Sequence, residues 1–345
     1  MSTAIITKTI LLNALPGAGK SEVRKYLSRT GGIERRERFS IGDIVQIDDY
    51  PYVEVMRDID AALCRLGLSR MFFELPDRGF ISDYEWGTLA ILLNEDYEDL
   101  FSPPQKLKDG DSAAMWMFRR IDRARGYVGI CKRLTYSIAS VSTGSCQTAE
   151  IQTRLAGLLE AKCLKIYEEK MRGIPENMED KTVVIEFSRG GGPPTGHPLP
   201  EPLGYAYTYS VLSPAILENA KILYISVKPE TSRARNGARA GGGVLNHRVP
   251  DYVMENAYGS DDIKYLITAP GFVPVQKTRY TADTQLYSIG GYTLKREVQL
   301  YRIPIVVLEN DDPDLTSFAR GPADEWKPED VKALGDALER AFARP

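Results

Sequence analysis

Short apolar runs, each bounded by turn residues, recur along the chain and predict the strands of a sheet. Residues 5–13 are rich in Ile, Leu and Thr and lead directly into a Pro/Gly turn. Residues 39–51 contain a second apolar run, which ends at two aspartates and is closed by Pro51. Three further runs of the same character cover residues 181–191, 221–228 and 303–310.

Helical periodicity fills the segments between these runs. Residues 21–29 follow the Pro/Gly turn as a predicted helix, and residues 52–180 show helical periodicity without a comparably strong strand. A short helix is predicted at Pro214, and an amphipathic helix at residues 327–344. Because strands alternate with helices, we predict an α/β fold whose mainly parallel sheet is covered on both faces.

Two shorter stretches have their own patterns. The charged run at residues 34–38 predicts a solvated segment between the first helix and the second strand. Tyr205, Tyr207 and Tyr209 alternate along the chain as the residues of a strand do, which favours a packing role over base stacking.

Composition argues against several classes of protein. The 44 basic and 47 acidic residues give a net charge of −3, so that no overall positive field attracts nucleic acid, which argues against a nucleic-acid partner. The only cysteines (Cys64, Cys131, Cys146 and Cys163) lie far apart and only two histidines accompany them, which argues against a zinc site or a disulfide framework. The apolar run near the N-terminus is too short for a membrane span, and we expect a cytoplasmic protein without membrane contact.

The segment LPGAGKS, which follows the first predicted strand, carries the clearest chemistry. Residues 14–21 fit the phosphate-binding loop pattern, with Ala14 in place of the first glycine. Glycines at 17 and 19 permit the tight path that directs backbone N–H groups toward an anion at a helix N-terminus. Lys20 is expected to reach the outer phosphates, and Ser21 to ligate magnesium. The expected nucleotide-binding residues of this loop are Pro16, Gly17, Ala18, Gly19, Lys20, Ser21 and Glu22.

This loop, with the features that follow it in order, resembles the P-loop nucleoside and nucleotide kinase superfamily. The resemblance covers about residues 4–50 and 181–313, and it implies a P-loop NTPase three-layer sandwich with ATP and Mg²⁺ as cofactors. The expected core comprises residues 1–51 and 181–345 with a lid at about 229–260, while residues 52–180 form a large, mainly helical insertion that binds the acceptor. The implied activity is Mg-ATP-dependent phosphoryl transfer to a small molecule: a nucleoside, a nucleotide or a related metabolite.

The aspartate pair in QIDDYP is similar to the acidic signature of uridine-kinase-like enzymes, in which an Asp activates the acceptor hydroxyl. Either Asp48 or Asp49 is then the base, since phosphoryl transfer needs a group that orients the nucleophile and accepts its proton. A competing alignment places residues 39–43, FSIGD, on the TGD segment with which adenylate kinases contact the acceptor nucleotide. The pair also fits a simple acidic turn before Pro51.

Further residues follow from the same resemblance. Glu186 ends a strand where P-loop enzymes hold the magnesium shell, although their usual residue is Asp. Arg189 is expected either to clamp a phosphate through its forked donors or to be an ordinary surface arginine. The segment PETSRARNGAR resembles the lid, whose positive charge serves the transition state. The candidate lid arginines are Arg233, Arg235 and Arg239, with Arg248 further along, and a solvated basic helix is the alternative interpretation. Asn310, after the last strand, is the candidate for contact with the base of the nucleotide.

Two other functions stay open at this point. A P-loop ATPase or GTPase would couple hydrolysis to partner binding, but no base-reading NKxD signature accompanies the loop. A polynucleotide kinase is the second alternative, because residues 52–180 can hold any acceptor. The sequence does not identify the acceptor, the preference for ATP or GTP, or the oligomeric state.

Overall fold

A computed structural model describes residues 6–104, 106–130, 134, 147–193, 196–238, 248–282, 288–289 and 292–343. Arg239, one of the candidate lid arginines, lies outside these residues. Within the described part of the chain, no helix is both long enough and apolar enough to cross a membrane.

Six strands form the main path of the sheet, and a short seventh strand pairs at its side. In chain order the strands are β1 (Thr9–Asn13), β2 (Asp43–Asp48), β3 (Lys181–Phe187), β4 (Ala220–Ser226), β5 (Phe272–Ala282), β6 (Ser288–Ile289) and β7 (Tyr292–Glu309). Their order across the sheet is β2-β3-β1-β4-β7-β5, with β6 paired to β7. The first five strands of this order are parallel, whereas β5 and β6 run antiparallel to β7. The predicted α/β fold with a mainly parallel sheet is therefore confirmed.

Helices connect the strands. They are α1 (Lys20–Arg29), α2 (Gly32–Phe39), α3 (Tyr50–Arg65), α4 (Glu85–Phe101), α5 (Ala113–Tyr127), α6 (Gln147–Gly173), α7 (Gly204–Val211), α8 (Pro214–Leu217), α9 (Pro229–Ala238), α10 (Asp251–Asn256), α11 (Ile263–Leu266) and α12 (Pro328–Phe342). Two short 3₁₀ turns, Ser317–Arg320 and Ala323–Glu325, precede the last helix.

Both faces of the sheet are buried, as a three-layer arrangement requires. On one face, β1, β4 and β7 pack with α1, α2 and α12, for example through Val23, Phe39 and Leu334. On the other face the sheet packs with α4, α7 and α8.

The helical region between β2 and β3 has its own apolar core but is not detached from the sheet. Residues of α3, α5 and α6 bury against Trp86 and Leu89 of α4. One turn further, Leu93 and Tyr97 of the same helix bury against the sheet. Helix α4 therefore contributes to both apolar cores, and the described residues between β2 and β3 are mainly helical.

Three local predictions are corrected by the structure. Residues 204–211 form helix α7 and not a strand, because the tyrosines at 205 and 209 lie one helical turn apart and are both buried. The charged run at 34–38 lies in helix α2, where buried Arg35 donates to the carbonyls of Gly42, Leu27 and Thr30. Pro51 stands in the first turn of α3, a position that needs no N–H donor.

Candidate functional site

The carboxyl ends of the parallel strands meet at one edge of the sheet, and the chemistry-bearing residues collect there. Central β1 is flanked by β3 on one side and β4 on the other, so successive connections leave in opposite directions and open a crevice at this edge. Loop 14–19 leaves β1 at this edge. Asp48 and Asp49 end β2, and Ser188 and Arg189 follow β3.

The loop has the backbone conformation that its glycines were predicted to provide. Gly17 has φ 76° and Gly19 has φ 105°, both in the left-handed region that other residues avoid. A Cβ at position 17 would lie 2.9 Å from the carbonyl oxygen of Ser232, and one at position 19 would lie 2.5 Å from Oγ1 of Thr316. Glycine is therefore required at both positions by conformation and by space.

Side chains from three other segments hold the outer side of the loop. Ser232 Oγ donates to the carbonyl of Pro16 at 2.6 Å, and Asn310 Nδ2 donates to that of Ala18 at 2.8 Å. Tyr205 OH, from α7, donates to the carbonyl of Ala14 at 3.2 Å. Because these carbonyl groups accept hydrogen bonds from residues outside the loop, the N–H groups of the loop can point to its inner side, as an anion-binding site requires.

The start of helix α1 has the features of an anion-binding terminus. The helix begins at Lys20, and its N-cap residue, Gly19, has no side chain that could cap it. The partial positive charge of a helix N-terminus and the N–H groups of its first turn favour an anion there. Lys20 Nζ donates to Ser188 Oγ at 2.5 Å and to the carbonyl of Ala14 at 3.4 Å, so that its charge lies across the mouth of the loop.

Ser21 and Glu186 place two side-chain oxygen groups beside the loop. Ser21 Oγ donates to Glu186 Oε1 at 3.3 Å, and Arg24 Nε donates to Glu186 Oε2 at 3.1 Å. Among the residues that the structure describes, no group of three or more His, Cys, Asp or Glu is arranged to hold a metal ion. One hydroxyl and one carboxylate nevertheless suit Mg²⁺, which is commonly held by one or two protein oxygens together with substrate phosphates and water.

The two aspartates at the end of β2 have different surroundings. Asp49 is buried, and its Oδ2 accepts a hydrogen bond from Arg189 Nη1 at 2.6 Å. Burial raises the pKa of Asp49, and the charge of Arg189 opposes that rise. In the described part of the chain no arginine pairs with Asp48, whose Oδ1 accepts a hydrogen bond from the backbone N–H of Tyr50 at 2.8 Å. Burial, and after it the charges of Glu186 and Asp49, raise the pKa of Asp48 to about 7.

Arg189 is a buried, fixed side chain and not a surface arginine. Only 1% of its surface is exposed, and its guanidinium lies 5.1 Å from the ring centroids of both Trp86 and Phe187. Nη1 also donates to the carbonyl of Ser188 at 2.7 Å, and Nε donates to Thr208 Oγ1 at 3.1 Å. Nη2 has no hydrogen-bond partner among the described residues.

The structure thus brings together most of the residues that the sequence singled out. The loop, Lys20, Ser21, Glu186, Asp48, Asp49 and Arg189 all lie at one edge of the sheet. Asp43, which the competing alignment uses, lies at the opposite end of β2 and pairs with Arg35 at 2.8 Å. The geometry therefore favours the aspartates at 48 and 49 as the acidic group of the site.

The other candidates lie around the loop in different roles. Asn310 is fully buried beneath it, and its amide is used in bonds to Ala18, Thr316 and Leu315, which favours positioning of the loop over contact with a base. Glu22 is buried, with Oε1 at 3.9 Å from Arg320 Nε. For Asn310 and Glu22, contact with a nucleotide therefore stays a prediction.

The described lid arginines differ in their distance from the loop. Helix α9 packs directly on Gly17, and Arg235 lies at that contact, with Nε at 3.2 Å from Asp314 Oδ2. Its Nη1 is buried without a hydrogen-bond partner in the described part of the chain. Arg233 instead forms a surface pair with Glu230 at 3.3 Å, and Arg248 pairs with Asp251.

Sequence reasoning missed several residues of this site. Ser188 bonds to Lys20, Tyr205 supports the loop, and Thr208 fixes Arg189. Ser188 follows Glu186 by two positions on the same strand end, which is a usable signal. The tyrosine and the threonine become visible only once α7 is identified as a helix, because they then share one of its faces.

Comparisons of the chain with protein-family models, with curated protein sequences and with solved structures found no match. The chemistry of this site is therefore inferred from its own residues.

Proposed function

We propose that the chain is a Mg-ATP-dependent phosphotransferase of the P-loop NTPase fold, which transfers a phosphoryl group to a hydroxyl of a small molecule. The observation that carries the proposal is the position of Asp48. Asp48 is the register partner of Glu186 across β2 and β3, beside the loop that carries Lys20, and no arginine among the described residues pairs with it. Transfer to an acceptor hydroxyl needs, besides the phosphate loop, a carboxylate that orients the hydroxyl and accepts its proton.

Each residue of the site has a defined part in this reaction. The loop N–H groups and Lys20 would bind the donor phosphates, and Ser21 with Glu186 would hold Mg²⁺, which supplies charge neutralisation on the phosphates when bound. Asp48 accepts the proton of the attacking hydroxyl. Its raised pKa of about 7 makes it a stronger base than an ordinary aspartate while leaving much of it ionised at neutral pH.

The second aspartate is assigned a positioning role. Asp49 is tied to Arg189, which is itself fixed by Thr208 and by the Ser188 carbonyl. This network holds the end of β2 against the end of β3 and so sets the position of Asp48 relative to Lys20. The remaining N–H groups of Arg189 Nη2 are available to the acceptor or to the transferring group.

The test is ADP release from Mg-ATP with and without acceptors. We expect ADP only when a pool of small hydroxyl compounds is added, and none with the variant Lys20→Ala. Equal ADP release without any acceptor would support an ATPase instead, and release that requires oligonucleotides would support a polynucleotide kinase. Turnover by Lys20→Ala equal to that of the unaltered protein would contradict the proposal as a whole.

A further inference from the structure

One face of helix α7 lies against the place where the phosphate loop leaves the sheet. Tyr205 and Tyr209, one helical turn apart on this face, are fully buried. Tyr205 OH donates to the carbonyl of Ala14 at 3.2 Å, and Tyr209 OH donates to Asn13 Oδ1 at 2.8 Å. Asn13 is the last residue of β1 and Ala14 follows it, so these two bonds fix the start of the loop relative to α7.

The same face of α7 also holds Arg189. Thr208, which is fully buried, donates through Oγ1 to the carbonyl of Gly204 at 3.0 Å and accepts from Arg189 Nε at 3.1 Å. Because the hydroxyl proton is directed to Gly204, the oxygen presents a lone pair to the guanidinium. Arg189 in turn donates to Asp49 at 2.6 Å. Helix α7 therefore joins the donor side of the site, at the loop, to the side where the two aspartates lie.

The beginning of α7 is anchored by a carboxylate from a distant segment. Leu203, its N-cap residue, makes no side-chain hydrogen bond to the helix. Asp262 takes this part: Oδ1 accepts from the N–H of Tyr205 at 2.7 Å, and Oδ2 accepts from that of Ala206 at 3.4 Å. A Cβ at position 204 would lie 2.6 Å from Asp262 Oδ2, so glycine leaves the room that this contact needs. Asp262 is fully buried, and the N–H groups and partial positive charge of a helix N-terminus stabilise a carboxylate there.

The segment that carries Asp262 is itself fixed to the chain that follows Arg189. Gly191 N–H donates to the carbonyl of Ser260 at 2.9 Å, and Ser260 N–H donates to the carbonyl of Gly191 at 3.1 Å. The contacts thus close a ring, which runs from Arg189 through Gly191, Ser260 and Asp262 to α7 and returns through Thr208. Each link of such a ring restricts the others, and loss of the Asp262 link would free the start of α7.

The residue before Asp262 has different partners, although it carries the same side chain. Asp261 Oδ2 accepts from Tyr224 OH of β4 at 2.9 Å, and Oδ1 accepts from the N–H of Ile263 at 3.1 Å. Both partners lie outside α7. The two neighbouring aspartates therefore offer a comparison in which Asp262 holds the helix and Asp261 holds its own segment to the sheet.

We propose that Asp262 is a positioning residue of the phosphoryl transfer, which acts through α7 to keep the phosphate loop and Arg189 in one fixed arrangement. The inference rests on the proposed phosphotransferase function and adds to it a residue outside the reacting groups. Transfer requires the reacting atoms to be held within a narrow range of distance and direction, so that a displacement of about 1 Å costs about 100-fold in rate. A displacement of α7 would shift both sides of the site at once.

The test compares Asp262→Ala, which removes both acceptors, with Asp262→Asn, which keeps the size of the side chain and one acceptor for the N–H of Tyr205. Mg-ATP affinity is measured by calorimetry, and kcat is measured as acceptor-dependent ADP release per folded molecule, both well below the melting temperature of each variant. For Asp262→Ala we expect an affinity about 5- to 10-fold weaker and a kcat about 10- to 100-fold lower. Asp262→Asn should restore both quantities to within about threefold of the unaltered protein, because Asn is as good a cap as Asp.

Two variants of α7 separate the two sides of the site. Thr208→Val removes the acceptor for Arg189, so it should lower kcat about 10-fold and leave Mg-ATP affinity within about twofold. Tyr205→Phe removes the donor to the loop, so it should weaken Mg-ATP affinity with a smaller effect on kcat. Loss of both quantities in Asp262→Ala, with loss of one in each of these variants, identifies a residue that acts through the helix, since lowered stability alone does not produce this division.

Asp261→Asn is the matched control, because the partners of Asp261 lie outside α7. It should change Mg-ATP affinity and kcat less than about twofold. Unchanged affinity and kcat in Asp262→Ala, or equal losses in Asp261→Asn, would overturn the inference. If Asp262→Ala does not fold, an unchanged kcat in Thr208→Val would overturn it instead.

The proposed function can fail separately from this inference. Mg-ATP binding that Asp262→Ala weakens, without acceptor-dependent turnover by the unaltered protein, would refute the proposed function and leave Asp262 as a residue that positions the loop. Absence of Mg-ATP binding to the unaltered protein would refute both.

Discussion

Separate replacement of the two aspartates that end β2 distinguishes a base from a structural counter-ion. Asp48→Asn removes the proton acceptor while the side chain keeps its size and its hydrogen bond to the Tyr50 N–H. We expect kcat to fall by about 10²- to 10⁴-fold, the usual contribution of general base catalysis. Asp49→Asn instead leaves the buried charge of Arg189 without its partner.

The expected stability changes differ in sign. Removal of one partner of a buried ion pair costs about 3–5 kcal/mol, and Asn still accepts one hydrogen bond, so about 3 kcal/mol is expected for Asp49→Asn. With an unfolding entropy of about 2.1 cal/mol/K per residue, 345 residues give about 0.7 kcal/mol/K, so the melting temperature falls by about 4 °C. Because folding raises the pKa of Asp48, its ionised form destabilises the protein at high pH, and Asp48→Asn should be as stable as the unaltered protein or more so.

The two measurements are the melting temperature at pH 8 and acceptor-dependent ADP release, made on both variants and on the unaltered protein. The assigned roles predict a stable, nearly inactive Asp48→Asn and a less stable Asp49→Asn that keeps more of its activity per folded molecule. If Asp49→Asn lost turnover at an unchanged melting temperature while Asp48→Asn stayed active, the two roles would have to be exchanged.

Three further predictions concern the loop and the base. Tyr205→Phe removes a hydrogen bond to the loop, so it should lower the free energy of unfolding by about 1 kcal/mol and weaken ATP binding. Tyr207→Phe is the control, because no such bond is found for Tyr207 among the described residues, and it should change neither quantity. Equal urea unfolding curves for the two variants would contradict this prediction. Gly19→Ala should abolish ATP binding in calorimetry, because the added Cβ would lie 2.5 Å from a threonine hydroxyl, whereas Gly237→Ala, which meets open space, should leave binding intact. Since Asp48 acts only when ionised and its pKa is raised to about 7, kcat/KM should rise about tenfold per pH unit below 7 and level off above it; a flat profile between pH 5 and 8 would contradict its role.

The sequence predicted those parts of the fold that short segments determine by themselves. Buried parallel strands such as β3 and β4 are continuous apolar runs, and they were located to within a few residues. The antiparallel edge strand β5 was missed, because it is interrupted by Pro274 and charged residues and is specified by its pairing with β7. Alternating tyrosines in α7 gave the wrong period, since burial in a helix depends on residues four apart.

The candidate site shows the same division between local and distant information. The phosphate loop could be recognised because its glycines, lysine and serine are consecutive and their conformation is local. Lys20 bonds to Ser188, which lies 168 residues away, and Tyr205 bonds to Ala14, which lies 191 residues away. The pattern of residues along the sequence does not predict contacts between such distant positions. The difference between Asp48 and Asp49 likewise depends on Arg189, which lies 140 residues after the second aspartate.

The most direct test of the central claim is calorimetric titration with Mg-ATP of the unaltered protein, of Lys20→Ala and of Lys165→Ala. Lys20 lies at the mouth of the loop, whereas Lys165 is exposed on α6 and carries the same charge. A loop that holds the donor phosphates predicts binding by the unaltered protein and by Lys165→Ala, and affinity about 100-fold weaker for Lys20→Ala. Absence of binding to the unaltered protein, or equal affinity in all three, would contradict the claim.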